Sequence, residues 1–151
     1  MTRILVVDDE RDVREVVKTT LQENGYQVVE ATNGVEAYAA AADAAVAEKP
    51  DLIVLDLMLP KLNGFEVLEK LKENPQTSYI PVVILTARGQ SQDETRALRA
   101  GATDYMTKPW AADELVDRVR IALDQRRNSK PHRFKSAERV TDSRQNWAQP
   151  S

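Results

Sequence analysis

Three runs of four apolar residues punctuate the chain: ILVV at 4–7, LIVL at 52–55 and VVIL at 82–85. None alternates with polar residues and all are rich in β-branched side chains. Each therefore predicts a strand buried on both faces of a parallel sheet. A fourth strand is expected in YQVVEAT (26–32) and a short fifth in ATDYM (102–106). Helical patterns fill the intervals. Val13, Val16, Val17, Thr20 and Leu21 recur at helical spacing, and Gly25 is a natural left-handed stop. The alanine-rich NGVEAYAAAADAAVAEK (33–49) is a strong helix former by propensity. Phe65, Leu68 and Leu71 mark a third helix ended by Pro75. Residues 91–100, with Leu98, mark a fourth stopped by Gly101, and Leu115, Val119, Ala122 and Leu123 line a fifth. Strand followed by helix, five times over, calls for a doubly wound α/β sandwich with right-handed crossovers.

Against this pattern, one residue is out of place. In LIVLDLMLPK (52–61) Asp56 follows four apolar residues, and desolvating a carboxylate costs several kcal/mol unless it is paired or coordinated. In open α/β sheets, ligands bind outside the carboxyl ends of the strands, and those ends are chemically unusual here. The first strand runs into Asp8 and Asp9, the third into Asp56, the fourth into Thr86 and the fifth towards Lys108. Each has an ordinary structural reading when taken singly: Asp8 or Asp9 as a helix N-cap, Lys108 as a solvated lysine. Together they make a chemical unit. Neighbouring carboxylates repel one another, and a hard divalent cation with oxygen ligands relieves that repulsion; Mg²⁺ is the usual ion in phosphate chemistry. An acid ringed by a cation, an ammonium and a hydroxyl is a receptor for a phosphoryl group. Asp56 is then a candidate nucleophile forming an aspartyl phosphate. Mg²⁺, Lys108, and Thr86 with the backbone N–H of Ala87 are placed to neutralise one phosphoryl oxygen each.

Composition adds boundaries. At 151 residues, 42% hydrophobic and 30% charged, the chain has the profile of one soluble globular domain. It has no cysteine, which excludes disulfides and thiolate metal sites. No apolar run reaches the roughly 20 residues of a membrane span, so a cytoplasmic domain is expected. Charge is uneven. Residues 1–125 carry 14 basic and 22 acidic side chains, a net −8; residues 126–151 carry 7 and 2, a net +5. The expected organisation is a folded domain over 1–125 and a basic, flexible tail over 126–151, continuing the last helix before it fades. Arg126, Arg127, Lys130, Arg133 and Lys135 with Phe134 and Trp147 give that tail a composition able to touch nucleic acid or an acidic partner, although a solvated flexible end or a linker is the simpler reading.

The motifs VVDDE, PDLIVLDLMLPKLNG, ILTA and DYMTKP, in that order, make residues 3 to 125 similar to the receiver domain of bacterial two-component response regulators. The resemblance implies a flavodoxin-like fold with strand order 2-1-3-4-5. It implies Asp56 as phosphoacceptor, and Mg²⁺ (or Mn²⁺) held by Asp8, Asp9, Asp56 and the backbone carbonyl of Met58. It further implies Lys108 as the conserved-type lysine, Thr86 and Tyr105 as switch residues, and a cis peptide before Pro109. Phosphorylation adds about −1.5 to −2 charges; Thr86 would then move towards the phosphoryl group and Tyr105 rotate inward, reshaping the face of the fourth helix, fifth strand and fifth helix. Otherwise Tyr105 is a half-exposed aromatic with its hydroxyl in water. Met58 and Arg88 occupy positions expected to tune phosphoryl lifetime. Two features depart from the family pattern: a second helix longer by about one turn of 3.6 residues, and Trp110, expected to pack beside the switch surface.

The implied partners are a sensor histidine kinase or histidine phosphotransfer protein and an unidentified downstream protein, with neither membrane nor nucleic acid expected. A homodimer through the switch face is possible. A stand-alone receiver that is not an enzyme, beyond its own phosphotransfer and dephosphorylation, is the leading expectation. The rivals are an aspartate-nucleophile phosphohydrolase, a receiver degenerate to a binding module, and the receiver part of a larger regulator with a linker tail. A phosphohydrolase similar to the haloacid dehalogenase group carries a second acid two residues after the nucleophile. That position here is Met58, which has no acidic group. Intact Asp8, Asp9, Asp56, Thr86 and Lys108 argue against degeneracy.

Overall fold

The computed structural model describes residues 1–43 and 48–128. Strands and helices alternate throughout: β1 Arg3–Val7, α1 Arg11–Glu23, β2 Gln27–Ala31, α2 Gly34–Ala42, β3 Leu52–Leu55, α3 Gly64–Glu73, β4 Val82–Thr86, α4 Ser91–Arg99, β5 Asp104–Thr107 and α5 Ala112–Asn128. All strand pairs are parallel, in the order β2-β1-β3-β4-β5. This is the flavodoxin-like order, with β1 and β3 adjacent where the winding reverses.

Strand side chains alternate between two cores, which explains why the apolar runs do not. Leu5, Val7, Ile53, Leu55, Val82, Ile84 and Tyr105 pack on one side with Phe65, Leu68 and Leu71 of α3 and Ala97 of α4. Ile4, Val6, Leu52, Val54, Val83, Leu85 and Met106 pack on the other with Val17 and Leu21 of α1 and Leu115, Val119 and Ala122 of α5. Both faces are covered, so no position of β1 beyond Arg3, of β3 or of β4 is free to be polar without a purpose. Edge strand β2 is different: only Ala31 is buried and Val29 is 40% exposed.

Several helical expectations shift in detail. In α1 the inward stripe is Val13, Val17 and Leu21, at steps of four, while Val16 is 55% exposed. In α4, Leu98 is exposed and Asp93 and Ala97 face inward, so this helix rests on little apolar bulk. Helix α2 ends at Ala42, with Asp43 extended, so the expected long helix through the alanine-rich stretch stops after nine residues; residues 44–47 lie outside the described residues. Helix α5 continues past Gln125 to Asn128, and the rest of the basic tail also lies outside the described residues. Among those residues no helix is long and apolar enough to cross a membrane.

Local chemistry then sets the loops at the carboxyl edge. Asn63 and Glu66 form a reciprocal capping box at the start of α3, and Asn33 caps α2 by accepting from the Glu36 N–H. Gly64 is required by close approach: a Cβ there would stand 2.4 Å from the carbonyl oxygen of Asp56. The start of α3 is thereby drawn against the residue that opens the site.

Candidate acidic site at the carboxyl edge

The strand register brings the predicted polar residues together. Val7 pairs with Leu55, so Asp8 and Asp56 leave neighbouring strands side by side, and the Asp56 N–H donates to the Val7 carbonyl at 3.0 Å. Both carboxylates are buried and Asp9 is exposed. One oxygen from each of Asp8, Asp9 and Asp56 lies within 4.8 Å of the others. Lys108 closes the cluster from β5: its Nζ stands 2.8 Å from Asp8 Oδ2, 3.2 Å from Asp56 Oδ2 and 3.6 Å from Glu10 Oε1. The Lys108–Pro109 peptide is cis.

Backbone donors complete the carboxylates. The Met58 N–H reaches Asp56 Oδ1 at 3.1 Å, and the Glu10 N–H reaches Asp8 Oδ1 at 2.9 Å. The Met58 side chain is 54% exposed and contributes no acid to the site. Lys61, in the loop that follows Asp56, has φ of 71°, and the Leu62 N–H closes a tight turn onto the Pro60 carbonyl.

Charge balance in the cluster is uneven. Burial raises the Asp8 carboxyl above its ordinary value; the Lys108 hydrogen bond opposes that shift and the Asp56 charge adds to it. Burial alone would lower Lys108, but Asp8 and Asp56 outweigh it and the ammonium is held above its ordinary value. Three carboxylates thus face one lysine, with Glu10 at the rim. This donor set, hard oxygens in excess of positive charge and open at Asp9, fits a divalent cation such as Mg²⁺.

Thr86 and Tyr105 lie on the flank. Thr86 is fully buried, and its Oγ1 accepts from the Arg88 N–H at 3.3 Å. Tyr105 is 7% exposed, and its hydroxyl donates to the Arg88 carbonyl. That overturns the half-exposed reading with the hydroxyl in water: β5 alternation turns this ring into the α3–α4 side of the core. Trp110 packs against the α1–α5 core, on the opposite side of the sheet from Tyr105.

Sequence reasoning did not single out Glu10, Arg14 or Asp93. The Arg14 guanidinium donates to the Asp8 carbonyl and to Glu30, tying α1 and β2 to the end of β1. Asp93 accepts both arms of Arg88, at 3.0 and 3.1 Å. The available signal was an acid in the first turn of α4, which on its own reads as an ordinary helix-dipole residue.

Residues 4–120 match the family model described as response regulator receiver domain. The chain is 46% identical over 121 residues to the phosphate regulon transcriptional regulatory protein PhoB of Escherichia coli, covering 80% of this chain and 51% of that protein. It is 44% identical over 123 residues to the DNA-binding dual master transcriptional regulator RpaA of Synechocystis, covering 82% and 49%. The chain therefore spans about half the length of these curated relatives. Among solved structures, a CheY-like receiver domain protein from Methanospirillum hungatei superposes with a TM-score of 0.78 at 27% identity, covering 85% of this chain and 98% of that one. The Francisella response regulator 1452 receiver domain gives 0.73 at 34% identity, covering 83% and 98%.

Proposed function

We propose, from the premise that this chain belongs to the response regulator receiver domain family of two-component systems, that it is a phosphoryl switch with Asp56 as acceptor. The observation that carries this reading is Lys108 bridging Asp8 and Asp56 beside a third carboxylate, at the one sheet edge where four strands deliver polar groups. Asp8, Asp9, Asp56 and the Met58 carbonyl are the residues to hold Mg²⁺ (or Mn²⁺). When bound, the ion supplies positive charge that offsets the crowded carboxylates and the incoming phosphoryl oxygens.

The protein groups do the positioning. A carboxylate oxygen of Asp56 attacks the phosphorus of a phosphohistidine or a small acyl phosphate. A P–O bond forms to Asp56 while the bond to the donor's leaving group breaks. The Met58 N–H and Lys108 fix the carboxylate's orientation through its two oxygens. Lys108 neutralises one phosphoryl oxygen, and the Thr86 hydroxyl with the Ala87 N–H serves another after turning from Arg88. With no acid at Met58 to protonate an alcohol leaving group, organic phosphates are not expected to turn over. Output is then a population shift at the surface of α4, β5 and α5, read by a partner protein or a second copy of the chain. A sensor histidine kinase or histidine phosphotransfer protein is the donor this chemistry requires.

A second reading, the receiver part of a longer regulator, is favoured by the share of its curated relatives that the chain spans. Those relatives are named as transcriptional regulators, one of them as DNA-binding. In that case nucleic acid is contacted through another region, and the segment after Asn128 is a linker. The deciding experiment for the switch is incubation with acetyl phosphate and Mg²⁺ followed by intact mass. One added phosphoryl group, lost in Asp56→Asn, is the expected result. No gain, or repeated turnover of an aryl phosphate, would overturn it.

A further inference from the structure

The loop between β4 and α4 is fastened at three points, and all three belong to Arg88. Its backbone N–H donates to the buried Thr86 hydroxyl, and its carbonyl accepts from the buried Tyr105 hydroxyl. Its guanidinium makes a two-pronged hydrogen-bonded ion pair with Asp93, through Nε to Oδ2 and Nη2 to Oδ1. Asp93 is 8% exposed, although it lies on a helix whose inward side offers little other than Ala97. A planar guanidinium held by both oxygens of a carboxylate fixes direction as well as distance. Neither the acidic site nor the two cores accounts for that geometry.

We infer that the Arg88–Asp93 pair is a positioning device that fixes the Arg88 carbonyl where it holds Tyr105 inward, and so couples α4 to the Thr86 side of the phosphorylation site. This inference rests on the switch reading above and adds the residues that transmit it. The physical logic is short. Thr86 can turn towards Asp56 only if the loop that carries its present partner, the Arg88 N–H, adjusts. The side-chain anchor on Asp93 restricts which loop arrangements are open. Keeping the carbonyl aligned with Tyr105 favours the arrangement with the ring buried. The ring is inward here while Thr86 still faces Arg88, so by linkage the pair that stabilises this arrangement disfavours the phosphorylated state, in which Thr86 has turned. Because the guanidinium side chain is 46% exposed, the coupling is modest, roughly three- to fivefold in equilibrium.

The test uses the full chain with Mg²⁺ and beryllofluoride as the phosphoryl mimic. Asp93→Asn keeps shape and removes charge; Arg88→Gln removes the fork. Each is expected to strengthen mimic binding by roughly three- to fivefold, with the double variant no stronger than either single one; weaker binding would overturn the positioning role. Tyr105 ring signals in NMR, assigned through Tyr105→Phe, should move towards an exposed environment in both. Asp93→Glu is expected to return the affinity most of the way to the parent's. If both singles bind the mimic as the parent does with Tyr105 unmoved, the pair is only a structural staple, even if their thermal stability drops. If the parent itself fails to bind the mimic, the switch reading fails first; parental binding with unaltered variants sinks only the positioning role.

Discussion

Two of the partly buried lysines, Lys108 and Lys72, lie at opposite ends of the same sheet and are treated in opposite ways. Lys108 meets the carboxylates of Asp8 and Asp56 at the carboxyl edge, and its charge is stabilised. Lys72, near the C-terminus of α3 at the amino edge, meets only neutral acceptors: its Nζ donates to the Ser78 and Ile80 carbonyls at 2.9 and 2.8 Å, and its stem lies against Gly101. Burial without a carboxylate lowers its pKa to about 8. Burial of an ammonium is therefore not itself a sign of chemistry. At the carboxyl edge, negative charge exceeds what one lysine can balance; at the amino edge the lysine ties the end of α3 to the loop that leads into β4.

The comparison can be tested by removing charges from each end. The largest effect is expected from Lys108→Met. It leaves Asp8 and Asp56 facing each other without their shared ammonium, at a cost of about 3 kcal/mol, the lower end for a broken buried pair because the site opens to solvent at Asp9. Urea unfolding in EDTA measures this, and added Mg²⁺ should recover part of it. A loss below the scatter of surface substitutions would mean that the carboxylates do not need the lysine.

Asp8→Asn should act in the opposite direction. Burial and the Asp56 charge hold the Asp8 carboxyl above its ordinary value, so the folded chain binds its proton more tightly than the unfolded one. Ionising Asp8 then weakens the fold as pH rises from its ordinary value through the raised one. Its neutral replacement is expected to stabilise the chain in EDTA by about 1 kcal/mol, while the stabilisation that Mg²⁺ gives the parent shrinks. Destabilisation in EDTA would show that the Lys108 contact outweighs the repulsion.

The smallest effect belongs to Lys72→Met. With a folded pKa of about 8 and an ordinary value of 10.5, the unfolded chain binds more protons than the folded one at intermediate pH. Stability should therefore rise between about pH 8 and 9.5, below the range where Tyr105 and Lys108 titrate. The methionine variant is expected to lose that rise and to change little at pH 7. A parent profile that is flat from pH 8 to 9.5 would mean that the two carbonyls compensate the desolvated ammonium.

The two ends also differ in how far they could be read in advance. Asp8, Asp9, Asp56, Thr86 and Lys108 stand out because each interrupts or ends a strand whose neighbours are apolar, and strand ends in a parallel sheet converge by topology. Lys72 carries no such mark: on a helix, one lysine among Glu69, Lys70 and Glu73 reads as solvated surface. The Arg88–Asp93 pair is equally silent, since a loop arginine and a first-turn aspartate are common separately. Leu98 and Val16 were misplaced for a related reason. Helical spacing specifies a stripe to within about one residue step of 100°, and the sheet to be covered decides which edge of that stripe turns in.

Sequence alone determined the alternation of strands and helices, the two-faced burial of β1, β3 and β4, and the residues gathered at the carboxyl edge. These follow from local pattern and from the chirality of parallel crossovers, neither of which needs coordinates. Only the tertiary structure decided that Tyr105 lies inward on the Arg88 carbonyl, that Trp110 sits across the sheet from it, and that one ammonium bridges Asp8 and Asp56 while another rests on carbonyls. A side chain's partner and protonation depend on what comes within a few ångströms from distant parts of the chain, and sequence spacing carries no record of that distance.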